Sequence, residues 1–262
     1  MNNKVMVITG ASSGIGKAVA IKAAKQGAHL VLIARNVSAL ENLAHQLYHQ
    51  YHTDSLVVKC DVSDKTQLEY AYQKIKSKYQ RVDYLINCAG YGTFKLANEF
   101  SYEEVNEMFK VNTFGMIYLT TLISQLMVQQ QSGHIFFVSS MAGKMATPNS
   151  SVYSSTKFAV IGYANALRLE LKQANVFVTT VNPGPVATPF FSYDKNLRDY
   201  YEKVKRFTIT PELVADKMIK VATQKPYTRE INLPLSMSLA ANLYQIFPYI
   251  GDYLALNIFN LK

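Results

Sequence analysis

Several kinds of residue are scarce in this chain of 262 residues, and each scarcity narrows the class of protein it can be. There are two cysteines, Cys60 and Cys88, both within or at the end of apolar strand-like runs, so a disulfide scaffold is not expected. No uninterrupted apolar run is long enough to span a bilayer, and the first residues lack the apolar stretch and cleavage site of a signal peptide. We therefore expect a cytoplasmic protein.

Charged residues are also few, at 17% against roughly 25% in typical domains, which suggests a surface partly covered by another subunit or by something apolar. The net charge of +9 favours anionic ligands, such as a phosphorylated cofactor, or an anionic membrane surface. The basic residues form no concentrated stripe, so a nucleic-acid partner is not expected. The length suits one large core, and a single domain over residues 1–262 is predicted.

The pattern that is present alternates short apolar runs with longer segments of helical spacing. It predicts repeated β–α–β units, and hence an α/β, Rossmann-like, doubly wound parallel sheet. Ligands bind such sheets at the carboxyl ends of the strands, where the motifs below fall. The predicted strands are 4–9, 29–34, 55–60, 83–88, 134–139 and 176–182, and the predicted helices are 14–26, 37–51, 64–80, 101–131 and 152–173.

A glycine-rich turn follows the first strand and opens the first helix. Glycines permit a tight turn with close backbone approach, and a helix N-terminus attracts a pyrophosphate. The GxxxGxG spacing in this context predicts a dinucleotide site, the alternative being a turn without a ligand. Lys17 is a further candidate for contact with the phosphates, the alternative being a solvent-exposed side chain. The predicted cofactor contacts are Gly10, Ser12, Ser13, Gly14, Ile15 and Gly16.

The second strand ends at Arg35, with no acidic residue beside it. Sites specific for NAD usually place an aspartate or glutamate there to bond the ribose 2′-hydroxyl. An arginine can instead grip a 2′-phosphate and stack on adenine. NADPH (or NADP+) is therefore favoured over NADH, and the alternative is that Arg35 is a solvated strand end.

Tyr153 and Lys157 are four residues apart, which places them on one helix face, one turn from each other. A phenol normally loses its proton near pH ~10. A fixed ammonium nearby favours the phenolate and is expected to lower the tyrosine pKa. The pair predicts a proton donor for carbonyl reduction, although this spacing alone also occurs by chance.

The TGxxxGxG turn and the YxxxK pair together resemble the short-chain dehydrogenase/reductase family, over roughly residues 4–190. The resemblance implies a nucleotide-binding oxidoreductase that transfers hydride between NADPH and a carbonyl or secondary alcohol. It also implies a homodimer or homotetramer assembled through the helices at 101–131 and 152–173. Two alternatives are a non-catalytic NADP-binding sensor or scaffold, and a protein attached to a membrane surface through its tail.

By the same resemblance, four residues form the catalytic set. Ser140, thirteen residues before Tyr153, would hydrogen-bond the substrate carbonyl, while the adjacent Ser139 would face the cofactor. Lys157 would also bond the nicotinamide ribose. Asn112 would break its helix locally and hold a water near Lys157, although a buried asparagine bonding backbone is the alternative.

Further cofactor contacts follow from three family-like segments. Asp61 would bond the adenine amino group, unless it merely caps the next helix. In the segment that resembles NNAG, Cys88 replaces the second asparagine and is interpreted as a small buried residue rather than a redox-sensitive thiol. The Pro-Gly-x-Val-x-Thr segment would hold the nicotinamide carboxamide, or be only a rigid turn. These contacts are Asp61, Val62, Asn87, Ala89, Gly90, Pro183, Gly184, Val186 and Thr188, together with Tyr153 and Lys157.

Two further segments bear on the substrate. The lid segment, residues 190–210, holds five aromatic residues before Phe207, which predicts an apolar small-molecule substrate unless those rings only pack the lid onto the core. The tail, residues 235–262, has Asp252 and Lys262 as its charges and is broken by Pro248 and Gly251. Two short apolar helices are expected there, which would cap the substrate pocket, pack against a second subunit or lie in a membrane interface. Burial against protein is favoured over contact with a membrane surface. Their helical spacing is that of Leu239, Leu243 and Phe247, and of Ile250, Leu254 and Ile258.

His45, His49 and His52 lie near the end of one predicted helix, where a metal site is conceivable. No cysteine or acidic third ligand follows a suitable pattern. A solvated helix face is favoured, and no metal is expected.

Overall fold

Seven strands form one parallel sheet in the computed structural model, which describes residues 1–192 and 195–257. The strands are β1 (Val5–Thr9), β2 (His29–Ala34), β3 (Ser55–Lys59), β4 (Tyr84–Asn87), β5 (Gly133–Val138), β6 (Val176–Pro183) and β7 (Glu230–Leu233). Their order is β3-β2-β1-β4-β5-β6-β7, so the direction of winding reverses between β1 and β4. The predicted doubly wound α/β fold is confirmed, while the domain limits stay a prediction.

Helices connect the strands and cover both faces of the sheet. The α-helices are α1 (Gly14–Ala24), α2 (Val37–Tyr51), α3 (Lys65–Tyr79), α4 (Tyr102–Phe109), α5 (Gly115–Gln130), α6 (Ser151–Glu170), α7 (Lys195–Val204), α8 (Pro211–Gln224), α9 (Leu235–Ile246) and α10 (Pro248–Asn257). Short 3-10 turns are Ala97–Glu99, Met141–Gly143, Lys172–Ala174, Pro189–Ser192 and Lys205–Phe207. Within the predicted lid and tail, Tyr193, Asp194 and residues 258–262, including Ile258 and Lys262, lie outside the described residues.

Short polar residues start several helices. The side chains of Asn36, Asp64 and Thr210 each accept a hydrogen bond from an amide in the first turn of α2, α3 and α8. Such caps satisfy amides that have no partner inside the helix, and each contributes about 1 kcal/mol. These helix starts are thus fixed by local sequence as well as by packing.

The core consists of two apolar layers, one on each face of the sheet. Alternate residues of β1 point to opposite layers: Met6 and Ile8 pack with α1 and α8, and Val5 and Val7 pack with α3, α5 and α6. Because both faces are covered, the central strands carry apolar residues at nearly every position.

The predicted helix at 101–131 is continuous but contains one π-helical turn, Lys110–Phe114, between α4 and α5. By length and composition alone, the stretch Tyr102–Gln130 could cross a membrane, which the sequence did not lead us to expect. Half of its most apolar window is buried inside the fold, as in the core helix of a globular protein.

Two elements on the far edge of the sheet, α8 and β7, were not predicted. β7 pairs with β6 over four residues, including Asn182 with Asn232. Its sequence, Glu-Ile-Asn-Leu, is too short and too polar to stand out as a buried strand.

Candidate active site

The glycine turn is shaped by positive φ angles and by two close backbone contacts. Gly10 and Gly14 have positive φ angles of 66° and 52°, a conformation that side chains disfavour. A Cβ on Gly16 would lie 2.4 Å from the carbonyl oxygen of Gly10, and one on Gly10 would lie 3.0 Å from the backbone of Ala89. The turn is therefore packed against the end of β4, and α1 begins directly over it.

The end of β4 is tied to β1 through Thr9. Its hydroxyl oxygen accepts hydrogen bonds from the amides of Cys88 and Ala89, at 3.0 and 3.1 Å. The Asn87 side chain points the other way and donates to Thr120 Oγ1 at 2.9 Å. Cys88 is half-buried and lines the cavity described next, so the expectation of a fully buried residue is wrong. Desolvation nevertheless raises the pKa of its thiol to about 12, which argues against a redox-sensitive thiol.

A cavity of about 530 Å³ lies along the carboxyl ends of the strands. Most predicted site residues line it, whereas Gly16, Asn87 and Asn112 do not. Gly16 is inside the turn, and the two asparagines are fully buried behind the cavity wall. The predicted residues that line the cavity are Gly10, Ser12, Ser13, Gly14, Ile15, Arg35, Asp61, Val62, Ala89, Gly90, Ser140, Tyr153, Lys157, Pro183, Gly184, Val186 and Thr188.

One end of the cavity carries Arg35 and Asp61. The Arg35 side chain is 69% exposed, and its Nη1 lies 3.9 Å from Asp61 Oδ2. The other carboxylate oxygen of Asp61 accepts from the amide and hydroxyl of Ser63. Asp64, not Asp61, caps α3, so the alternative of Asp61 as a helix cap is wrong.

Tyr153 and Lys157 lie next to each other on α6, where both are buried and both line the cavity. Lys157 Nζ lies 5.7 Å from the centre of the Tyr153 ring and donates to the carbonyl oxygen of Val138 at 3.1 Å. The Ser140 hydroxyl is close enough to the phenol to affect its pKa. The spacing in sequence thus brings three of the four predicted catalytic side chains to one wall.

The predicted lowering of the Tyr153 pKa is not found. Burial raises the pKa of Tyr153 to about 12, and the nearby Ser140 hydroxyl offsets this only in part. Burial also lowers the pKa of Lys157 to about 8. The cost of burying a phenolate outweighs a lysine whose own charge is weakened by burial, so the phenol keeps its proton at neutral pH.

The two serines after β5 have different contacts. Ser139 donates to the carbonyl oxygen of Lys157 at 3.0 Å, which ties the end of β5 to α6. Ser140 Oγ accepts from the Ala142 amide at 3.1 Å and lies 3.5 Å from the carbonyl oxygen of Pro183. Of the two serines, Ser140 is the one that acts on the pKa of Tyr153.

Asn112 lies in the π-helical turn, which confirms the expected local break in its helix. Its Oδ1 accepts from the Tyr91 amide at 2.9 Å, and its Nδ2 donates to the Tyr91 carbonyl at 2.8 Å and to Thr156 Oγ1 at 3.1 Å. A Cβ on Gly90 would lie 3.0 Å from Asn112 Oδ1 and 3.5 Å from Lys157 Nζ. Asn112 thus fixes the loop after β4, and its link to a water stays a prediction.

The other end of the cavity is apolar. Of the lid aromatics, Phe190, Phe191 and Tyr200 line the cavity, whereas Tyr201 packs against Phe191 at 5.2 Å between ring centres. Both expected roles of the lid aromatics are therefore present, since some rings line the cavity and Tyr201 packs against another ring. The apolar wall residues that the sequence did not reveal are Tyr91, Phe94, Met141, Met145 and Met237.

Met237 shows that the tail takes part in this wall. It lies on α9, and a Cβ on Gly184 would be 2.5 Å from its sulfur. The predicted break at Pro248 is confirmed, since α10 begins there, whereas the predicted break at Gly251 is wrong because that residue lies inside α10. No pattern in the sequence indicated which side chain of the tail would enter the cavity.

The three histidines do not form a metal centre. His45 and His49 contact each other, with 2.9 Å between their Nε2 atoms, on the exposed face of α2. Within residues 1–192 and 195–257, no group of three or more histidine, cysteine or acidic side chains could hold a metal ion.

Comparison with known proteins gives a consistent result. The family model described as short chain dehydrogenase matches residues 4–198. The 3-ketodihydrosphingosine reductase of Bos taurus is 35% identical over 236 residues, which cover 86% of this chain and 70% of the relative. An uncharacterized oxidoreductase of Bacillus subtilis (strain 168), YxnA, is 33% identical over 261 residues, which cover 97% of this chain and 72% of the relative.

Two solved structures with bound nucleotides are also similar. The alcohol dehydrogenase from the archaeon Thermococcus sibiricus, complexed with 5-hydroxy-NADP, has a TM-score of 0.80 and 28% identity, covering 88% of this chain and 96% of that one. The L-sorbose reductase from Gluconobacter frateurii, complexed with NADPH and L-sorbose, has a TM-score of 0.82 and 25% identity, covering 89% and 95%.

Proposed function

This chain belongs to the short chain dehydrogenase family of oxidoreductases, and from that premise we propose that it reduces a ketone of an apolar substrate with NADPH. The observation that carries the proposal is the position of Tyr153. Its buried, protonated phenol lies near Ser140 and Lys157, on the wall of the cavity that the glycine turn also lines. A held proton next to a hydroxyl donor is what a developing alkoxide needs.

The glycine turn fits the phosphates of a dinucleotide. The closeness of Gly16 to Gly10 leaves room for backbone only, and Ser13 makes no side-chain cap on the first amides of α1. Those amides and the helix dipole favour an anion. Arg35 is a donor for a 2′-phosphate, and the NADP-type nucleotides in the two similar structures support the same choice.

The residues of this chain have distinct parts in the proposed reaction. The nucleotide, when bound, supplies hydride. Ser140 donates a hydrogen bond to the substrate carbonyl oxygen, and Tyr153 gives that oxygen its proton. Lys157 bonds the nicotinamide ribose and, with Asn112 and water, returns a proton to Tyr153.

The substrate end of the cavity supports an apolar ligand. Its wall combines the rings of Phe94, Phe190 and Tyr200 with the thioether of Met237. Aromatic and methionine side chains provide contact area without demanding hydrogen bonds from a ligand. The name of the Bos taurus relative identifies a keto compound as its substrate, and we propose for this chain a ketone on a long alkyl chain.

The test is NADPH oxidation across ketones of increasing chain length, with 3-ketodihydrosphingosine, aldehydes, quinones, 3-oxoacyl thioesters and L-sorbose in the panel. Each buried methylene is worth about 0.8 kcal/mol, so kcat/KM should rise roughly fourfold per methylene until the cavity is filled. Tyr153→Phe should keep NADPH binding and lose roughly 10²- to 10⁴-fold in kcat. Full activity of that variant, or a flat response to chain length with sorbose preferred, contradicts the proposal.

Assembly and location complete the proposal. Exposed apolar side chains on the π-helical turn and α6, including Phe114, Phe158 and Leu169, support a homodimer or homotetramer through these helices. For location we propose a cytoplasmic protein whose tail is covered by protein, with contact to a membrane surface through the tail as the alternative.

A further inference from the structure

A chain of polar groups links the Ser140 turn to β7, at the edge of the sheet beside the candidate active site. Lys144 forms an ion pair with Glu230, and the Lys144 residue is 8% exposed. Glu230 Oε2 also accepts from Asn232 Nδ2 at 3.1 Å, and Asn232 Oδ1 accepts from Asn182 Nδ2 at 2.8 Å. None of these four residues has a part in the reaction proposed above.

The chain begins at the turn that holds Ser140. The Gly143 amide bonds the Ser140 carbonyl and the Lys144 amide bonds the Met141 carbonyl, each at 2.9 Å, so Lys144 closes the 3-10 turn that Ser140 opens. From there its side chain reaches β7. The far end of the Ser140 turn is thereby attached to the sheet edge by an ion pair in which Lys144 is buried and Glu230 is half-buried.

The chain ends next to the other contact of Ser140. Asn182 precedes Pro183, whose carbonyl oxygen lies 3.5 Å from Ser140 Oγ, and Asn182 is the register partner of Asn232. The Ser140 hydroxyl also accepts from the Ala142 amide within the turn. A shift of the turn relative to β6 would therefore carry the Ser140 hydroxyl away from the Pro183 carbonyl oxygen, while its bond from the Ala142 amide moves with the turn.

Stability is a poor reason for burying this pair. Two charges lose hydration on burial, and an apolar pair of similar volume often stabilises a fold at least as well. Burial would raise the pKa of Glu230, but the hydrogen bonds from Lys144 and Asn232 outweigh it and hold the pKa below its usual value. The carboxylate is therefore charged at neutral pH, and what the pair supplies is one fixed geometry.

We propose that Lys144 and Glu230 are positioning residues, which fix the Ser140 turn against β6 and β7 so that the Ser140 hydroxyl meets the substrate carbonyl oxygen. The inference rests on the proposed function. It predicts that the pair acts on the chemical step through Ser140, and not on cofactor binding.

The test replaces both charges together, in Lys144→Met/Glu230→Met, so that no buried charge is left without its partner. This variant should fold, bind NADPH with unchanged Kd, and lose roughly tenfold in kcat, because small misplacements of a reacting group are costly. The matched control is Lys22→Gln/Asp216→Asn, which removes an ion pair between α1 and α8 and should leave kcat unchanged. Restoring the pair in reversed order, Lys144→Glu/Glu230→Lys, should recover part of the loss.

A double-mutant cycle with Ser140→Ala, followed in single turnovers, separates positioning from general damage. If the pair acts through Ser140, its removal has little further effect in the Ser140→Ala background. Additive losses overturn the inference.

Amide hydrogen exchange of residues 141–147 gives a readout that needs no activity. Exchange in that segment should quicken in the double methionine variant and stay unchanged elsewhere, and unchanged exchange there also overturns the inference. If the unmodified protein reduces no ketone, the proposed function fails while the exchange result still decides whether the pair holds the turn.

Discussion

The imidazole of His134 is buried against Phe136, with 4.1 Å between the ring centres, and its protonation is fixed by Thr179. The Thr179 hydroxyl donates to the carbonyl oxygen of Thr228 at 2.6 Å, so it must accept from His134 Nε2 at 2.8 Å. Nδ1 is then unprotonated, and it has no hydrogen-bond partner in the part of the chain that the structure describes. Burial lowers the pKa of His134 to about 3.

This residue predicts a loss of stability in mild acid. The folded-state pKa lies below the unfolded value of about 6.5, so protons bind the unfolded state more tightly. The contribution of neutral His134 to the free energy of unfolding is complete above about pH 6.5. It falls as the pH drops, by about 2 kcal/mol at pH 5. In urea unfolding, His134→Gln should lose less stability than the unmodified protein between pH 7 and 5, by about that amount. His49→Gln, on an exposed helix face, should not change this difference, and an unaltered pH response in His134→Gln would refute the assignment.

Arg35 predicts the choice of nucleotide. Arg35→Asp removes a donor for a 2′-phosphate and adds a carboxylate that repels it. A charged hydrogen bond is worth about 1.5–3 kcal/mol, so kcat/KM with NADPH should fall roughly 10- to 100-fold, while NADH is used as well or better. Steady-state kinetics with both nucleotides measures this ratio, and Lys25→Gln, at the far end of α1, serves as the control. Equal losses with both nucleotides would contradict a specific role for Arg35.

The sequence identified the residues of the candidate site better than it predicted their pKa values. Spacing was enough to bring Ser140, Tyr153 and Lys157 to one wall, because helix and strand geometry fixes where such residues lie. The predicted direction of the Tyr153 pKa shift was wrong, because the shift depends on burial by side chains that are distant in sequence. The inward turn of Asn87, away from the cavity, likewise depends on a partner 33 residues away.

Three glycines differ in the space around them: Gly16 in the turn after β1, Gly184 in the turn after β6, and Gly162 within α6. Gly16 faces the backbone of Gly10, Gly184 faces the flexible end of Met237, and Gly162 faces nothing within 4 Å. A backbone contact cannot yield, whereas a methionine side chain can move.

Alanine at these three positions should therefore give three different results. Gly16→Ala should lower the melting temperature or abolish nucleotide binding, because overpacking costs about 1–3 kcal/mol or more. Gly184→Ala should melt normally but change KM for the ketone as Met237 moves. Gly162→Ala, inside a helix, should stabilise by roughly 0.5–1 kcal/mol. Thermal melts, NADPH titration and kinetics of the three variants provide the measurement, and equal behaviour of the first two would show that Met237 is not displaced.

Most elements could be predicted because an alternating apolar pattern and local caps specify them. The strand β7 could not, since its pairing with β6, and the polar chain through Asn232, exist only once the sheet has assembled. Nor could the entry of Met237 into the cavity, because it follows from how α9 packs after β7.

For the molecule as a whole, the surface of α9 and α10 is unusually apolar. Large apolar side chains are exposed along both helices, and Asp252, the acidic residue there, accepts a hydrogen bond from the Tyr244 hydroxyl. An exposed patch of this kind marks a contact surface. The exposed residues are Leu235, Leu239, Leu243, Ile246, Phe247, Tyr249, Ile250, Tyr253 and Leu256.

We expect this surface to be covered by protein, with a membrane surface as the alternative. Leu239→Glu/Ile246→Glu should then reduce the assembly size measured by light scattering, with activity retained since neither side chain lines the cavity. A matched variant, Leu169→Glu on α6, tests the helix interface separately. Unchanged size together with lost flotation on liposomes would favour the membrane surface, and deletion of residues 236–262 gives the limiting case.

The side chain of Asn112 copies the bonding of a β-strand, since it donates to and accepts from the same residue, Tyr91. Few side chains can replace it. An aspartate would turn an acceptor towards the Tyr91 carbonyl, and a leucine would leave both backbone groups without a bond. Substitution at this position is thus constrained by the loop that Asn112 holds, whether or not the residue also takes part in catalysis. An asparagine found here in a relative therefore does not by itself show that the relative is an active enzyme.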